Sequence, residues 1–153
     1  MLEKIINNFN DIIISDKKTL IICDIDDTLI KFKNIEQYRI FGSLVKPLPT
    51  DIYGFISMLK KVKINNGKII FLTARISAAE KITRQQFSDI GLNYNDFNIY
   101  YTNGNMEKGY YIMDNIELSN YDEIIFIDDN DVCLISVINL FPDIKCYKFD
   151  WKY

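Results

Sequence analysis

The chain of 153 residues contains no histidine. That absence removes His-based nucleophilic triads, imidazole metal ligands and phosphohistidine chemistry together. Cysteine occurs three times, at Cys23, Cys133 and Cys146, an odd number with no metal-like spacing. Such usage fits reduced thiols in a cytoplasmic protein better than a disulfide framework. No apolar run approaches the ~20 residues of a membrane span. The start of the chain, MLEKIINNFNDIIIS, does not read as a signal peptide, because Glu3 and Asp11 interrupt its short apolar runs. An excess of positive charge is missing too. The net charge of −3 and a pI near 5.0 argue against a general nucleic-acid coat or a binder of anionic membranes. A local basic patch, and with it a nucleic-acid partner, stays open.

What is present is an ordinary core. Nearly half of the residues are hydrophobic (48%) and a quarter are charged (25%), which places the chain among globular proteins. Its length is most simply that of one domain spanning residues 1–153. Leu2, Ile5, Ile6, Phe9, Ile12 and Ile13 follow helical spacing, which predicts an amphipathic N-terminal helix over residues 1–16. Five apolar runs read as strands: TLIICD (19–24), KIIFLT (68–73), FNIYYT (97–102), EIIFID (123–128) and IKCYKF (144–149). The first, second and fourth are continuous, as in parallel strands covered on both faces. The third and fifth are mixed, which suits edge positions.

Helical patterns separate these runs. Thr50 or Asp51 can cap a helix that the NNG at 65–67 stops, and Ser77 can cap a second that Gly91 ends. A third begins near Met106, and a fourth runs from about Asp131 to Leu140 before Pro142. The alternation predicts an α/β fold: a doubly wound, Rossmann-like, five-stranded parallel sheet with helices on both faces.

Polar residues collect where the strands end. Asp24 closes the first run, Thr73 the second, Asp128 and Asp129 the fourth, and Lys108 follows the third after a short turn. Ligands of open α/β sheets bind at this carboxyl edge. In CDIDDTL, Asp24, Asp26 and Asp27 crowd together, and like charges that close repel unless a cation or a shared proton relieves them. Two carboxylates suit covalent catalysis, one attacking and the other handling the leaving group's proton. Asp128 and Asp129 add oxygen donors, and a site of carboxylates without imidazole or thiolate favours Mg²⁺. Thr73 offers a hydroxyl and Lys108 a cation suited to phosphoryl oxygens. Asp27 reads as a loop-forming residue. Asp131 is equally a helix cap or a partner of the site, and Arg75 equally a substrate contact or a surface ion pair.

The segments IICDIDDTL, IIFLTAR, MEKG and IIFIDD, in that order, resemble the four motifs of the haloacid-dehalogenase-like superfamily. The resemblance spans residues 19–149. It implies Asp24 as a nucleophile that forms an aspartyl-phosphate, and Asp26 as general acid and then base, its main-chain carbonyl touching Mg²⁺. It also implies Thr28 as the residue that orders the motif loop, and Thr73 and Lys108 as holders of the transferring phosphoryl group. Asp129 is implied as a direct metal ligand, with Asp128 direct or through water. The implied activity is Mg²⁺-dependent hydrolysis of a phosphomonoester. Alternatives are a nucleotidase or polynucleotide-end phosphatase, and a protein that binds phosphate and metal without turnover. A receiver domain uses similar residues, but there the acceptor aspartate follows the acidic pair, the reverse of the order here.

Neither insertion point of that pattern leaves room for a separate cap domain. The first holds only a short flap, about residues 31–46, before the helix at 52. The site is therefore expected to be open to a bulky phosphorylated substrate, with Lys31, Lys33, Arg39 and Lys46 recruiting its negative charge.

Overall fold

A computed structural model describes residues 1–32 and 46–152. Its centre is a parallel sheet of six strands: β1 (Leu2–Ile6), β2 (Thr19–Cys23), β5 (Lys68–Thr73), β6 (Ile99–Tyr101), β7 (Glu123–Asp128) and β8 (Lys145–Phe149), ordered β1-β8-β7-β2-β5-β6. Two further short strands, β3 (Ile30–Lys31) and β4 (Leu48–Pro49), pair antiparallel at the base of the predicted flap. Residues 33–45 of that flap, with Lys33 and Arg39, lie outside the described residues.

Period-two alternation divides the sheet between two cores. Ile21, Cys23, Ile69, Phe71, Ile125, Ile127, Tyr147 and Phe149 face one side. There they meet Phe55, Met58 and Val62 of α1 (Ile52–Ile64) and Phe87 of α2 (Glu80–Asp89). Leu20, Ile22, Ile70, Leu72, Phe126 and Cys146 face the other side, against Ile112 of α3 (Lys108–Asn115) and Leu134 and Val137 of α4 (Asp131–Leu140). Burial on both faces explains why the central strands read as unbroken apolar runs. No helix among the described residues is long and apolar enough to cross a membrane.

The expected N-terminal helix is instead the sixth strand. β1 lies parallel to β8 in the register Leu2↔Cys146 to Ile6↔Phe149, with an irregularity between Leu2 and Lys4. A short 3-10 turn at Phe9–Asp11 follows, capped by the Asn8 side chain, and Ile6, Phe9 and Ile12 reach the core from these two elements. The apolar spacing fits either conformation locally. The free backbone edge of β8 decides between them, since its N–H and C=O groups need partners. The same pairing moves β8 off the edge of the sheet, where the fifth run was expected. The third run, β6, does lie at an edge.

Helix starts show smaller differences. Asp51 caps α1 by accepting from Gly54 N at 3.0 Å, as expected. Ser77 caps nothing; it opens a 3-10 turn, Ser77–Ala79, that runs into α2. Asn130 caps α4, accepting from the Val132 and Cys133 amides, which frees Asp128, Asp129 and Asp131 from that task.

Candidate functional site

The strand ends converge on one pocket. β2 stops as Asp24 N donates to Ile127 O at 2.9 Å, tying the start of the acidic loop to β7. The loop then closes on itself, with Leu29 N and Ile30 N both donating to Ile25 O. Ile25, Leu29 and Ile30 are buried beneath it. Asp27 sits in the left-handed region (φ 59°) that this tight return requires, a conformation Asp tolerates better than most residues. Thr28, fully buried, donates from Oγ1 to Asp24 Oδ2 at 3.2 Å and so fixes the carboxylate's rotamer.

Opposite this loop stands Lys108. The turn before it uses Asn103 (φ 55°) and Gly104 (φ 89°), and it is stapled to the β5 exit by Gly104 N donating to Ala74 O at 2.7 Å. Gly109 then lets α3 approach α4: a Cβ there would fall 2.3 Å from Ser136 O. This close packing drives the Lys108 side chain inward until it is 1% exposed. Its Nζ donates to Asp24 Oδ1 at 2.8 Å and to Asp128 Oδ2 at 2.6 Å. Burial disfavours the charged ammonium, but the Asp24 and Asp128 charges outweigh it and hold Lys108 above its ordinary value.

One lysine does not neutralise the cluster. Oxygens of Asp24, Asp128 and Asp129 all lie within 4.8 Å of one another. Burial and the Asp24 charge push Asp128 up to about 7, against the pull of Lys108. Burial, then Asp24 and Asp128, push Asp129 up to about 9. The Lys108 ammonium is too little positive charge for carboxylates this crowded. A set of hard oxygen donors around one point can hold a metal ion, which would supply it.

Asp26 stands apart. Its carboxylate is 40% exposed and accepts from Arg75 Nε at 2.9 Å and Nη2 at 2.8 Å. Arg75 is held in turn by Thr83 of α2, whose Oγ1 accepts from Nη1 at 2.9 Å. Arg75 thus forms an ion pair, though with its side chain only 9% exposed it is not the surface pair that the sequence suggested. Thr73 is fully buried, and its Oγ1 accepts from Arg75 N at 3.2 Å. The cavity between these groups measures about 190 Å³ and is lined by Asp24, Asp26, Asp27, Lys108, Asp128 and Asp129, among others. The larger recess, about 480 Å³, is lined by Lys17, Glu123 and Lys145 near the amino ends of β2, β7 and β8, away from the acidic loop.

The structure therefore brings Asp24, Thr28, Lys108, Asp128 and Asp129 into direct or near contact, and ties Asp26, Thr73 and Arg75 together beside them. Asp131 pairs with Lys148 at 2.8 Å on the surface. Three contributors were not legible beforehand. Thr83 lies in SAAEKITRQQ, where nothing marks it out from the charged and polar residues around it. Thr50 Oγ1 supports the loop by donating to the Thr28 and Leu29 carbonyls. Trp151 donates to Asp27 Oδ1 at 3.2 Å from the other end of the chain. Only for Thr50, adjacent to a helix start, did the sequence carry a local signal.

No family model matches the chain, and no curated protein matches it. Among solved structures, a chain of the Pnkp1/Rnl/Hen1 complex superposes on 89% of this chain with a TM-score of 0.64 and 19% identity. The matched part is 48% of that chain's own length. At this identity the likeness is one of fold.

Proposed function

We propose that this chain is a Mg²⁺-dependent phosphomonoester hydrolase of the haloacid-dehalogenase-like type. The observation that carries the reading is Asp24: a buried carboxylate at a strand end, oriented by Thr28, beside a buried lysine and two further acids. Asp24, Asp128 and Asp129 would hold the metal, with the main chain of Asp26. Bound there, Mg²⁺ supplies the positive charge that lets an anionic phosphoryl group approach an anionic nucleophile.

Asp24 attacks phosphorus, a P–O bond forms to its carboxylate, and the bond to the leaving oxygen breaks. Asp26, once protonated and released from one of its Arg75 bonds, gives that oxygen a proton. Water then attacks the aspartyl-phosphate and loses a proton to Asp26, and phosphate leaves with Asp24 restored. Both Asp26 oxygens are engaged by Arg75, so proton transfer exchanges one of those bonds as substrate enters. The guanidinium then has a hydrogen-bonding arm for the phosphoryl oxygens. Lys108 and Thr73 line the same end of the sheet and stabilise charge on the transferring group. An open site, expected from the short insertion before the helix at 52, would suit a bulky substrate, and the unpaired buried cysteines suit a cytoplasmic setting.

The test is Mg²⁺-dependent phosphate release from a panel of small esters, nucleotides and end-phosphorylated DNA and RNA, comparing wild type with Asp24→Asn. Activity should require the metal and fall at least ~10³-fold in the variant. Equal activity in the two proteins would rule out Asp24 as nucleophile. Metal binding with no turnover on any substrate would instead favour a binding role.

A further inference from the structure

Trp151 is the only tryptophan in the chain. It is partly buried against the core on the α1 side, and its indole N–H binds Asp27, which lines the same cavity as Asp24 and Asp129. Two cations share the ring. Lys31 Nζ lies 4.8 Å from its centroid and Lys152 Nζ 5.2 Å. Among the described residues neither ammonium forms an ion pair, whereas Lys148 on β8 is held by Asp131.

The Asp27 carboxylate on the indole N–H attracts Lys152, but one carboxylate does not balance two ammonium groups. Two ammonium groups on one indole stand within the ~10 Å over which charges still repel at moderate salt. Cation–π attraction to the ring holds both ammonium groups beside the acidic loop. An anion between or beside them would turn that repulsion into attraction, and lysine ammonium groups are common phosphate binders. The ring also fixes where the charge is presented, because its N–H is anchored to the acidic loop.

We infer that Trp151, Lys31 and Lys152 form a subsite for a second phosphate group, carried by the leaving group of the substrate. This rests on the phosphatase reading for its place in the reaction, though not for its ability to bind. Two sources share the chemistry: the phosphodiester next to the end of a nucleic-acid strand, and the second monoester of a small bisphosphate.

The lone tryptophan makes the subsite directly visible by its fluorescence. Asp24→Asn protein would be titrated with an oligothymidylate in one arm and a nucleoside 3′,5′-bisphosphate in the other. We expect saturable change in Trp151 emission in at least one arm, with apparent affinity about tenfold weaker in Lys31→Gln/Lys152→Gln. Response to the oligonucleotide alone assigns the subsite to a strand, and response to the bisphosphate alone assigns it to a small metabolite. In the active protein, the same double substitution should lower the ratio of kcat/KM for a bisphosphate over the matching monophosphate by about tenfold. Emission unmoved by both ligands, or moved equally in the double variant, would overturn the subsite. Absence of turnover with an intact fluorescence response would instead sink the phosphatase reading and leave the subsite standing.

Discussion

Two aspartates two residues apart occupy opposite halves of one pocket. Asp24 lies in the deep half, buried and fixed by Thr28 and Lys108, with Asp128 and Asp129 beside it. Asp26 lies on the rim, 40% exposed and paired with Arg75. The deep half holds three carboxylates against one ammonium, with Asp24 and Asp128 buried and Asp129 half-buried around a small cavity. The rim balances one partly exposed carboxylate with one guanidinium that is only 9% exposed. Charge balance separates them: the first half is short of positive charge, whereas the second is a matched pair.

Breaking the deep half should have the largest effect on stability. Lys108→Met leaves Asp24 and Asp128 buried with no cation between them, a loss of ~3–5 kcal/mol by urea unfolding. The loss should shrink when Mg²⁺ is present.

The pH dependence of the metal-free protein sharpens the same contrast. Asp128 and Asp129 are pushed from 3.8 up to about 7 and about 9. Across that window the folded protein keeps protons that the unfolded chain has released, so stability falls as pH rises from near 4 to 9. Thermal melts with a chelator should show this decline. Added Mg²⁺ should raise Tm, and raise it more at the alkaline end. A metal-free protein with flat stability over this range would mean the cluster is not as crowded as the geometry indicates.

Far from the pocket, Asp51→Ala removes a helix cap that also accepts from Phe9 N. It should cost ~1 kcal/mol with activity unchanged, a baseline for an ordinary structural loss. The rim should lose less stability than the deep half. Arg75→Gln removes a largely buried guanidinium that bonds Asp26 and Thr83, but leaves Asp26 40% exposed and able to be solvated, and should cost ~1–2 kcal/mol on unfolding. Phosphate release should nonetheless fall ~10–100-fold, because Asp26 loses its orientation. A large stability loss in this variant would erase the distinction between the halves.

Much of the site was legible because its residues sit in short, local motifs. Asp24, Thr73, Asp128 and Asp129 end apolar runs whose length and composition mark them as strands, and Lys108 needs only the turn at 102–105. The partners of these residues were less visible. Thr83 meets Arg75 because α2 crosses beside β5, and Trp151 meets Asp27 across 124 residues of chain. Neither pair has a spacing to read.

The sequence alone determined the alternation of strands and helices, the burial of the central strands on both faces, and the gathering of acids at one sheet edge. Those features follow from apolar periodicity and turn residues, which act over a few positions. Tertiary structure alone decided that residues 2–6 form a strand, since only the open edge of β8 distinguishes that from a helix. It also decided which carboxylates share Lys108 and which one goes to Arg75. Such choices depend on distances between elements remote in the chain, and no local pattern encodes them.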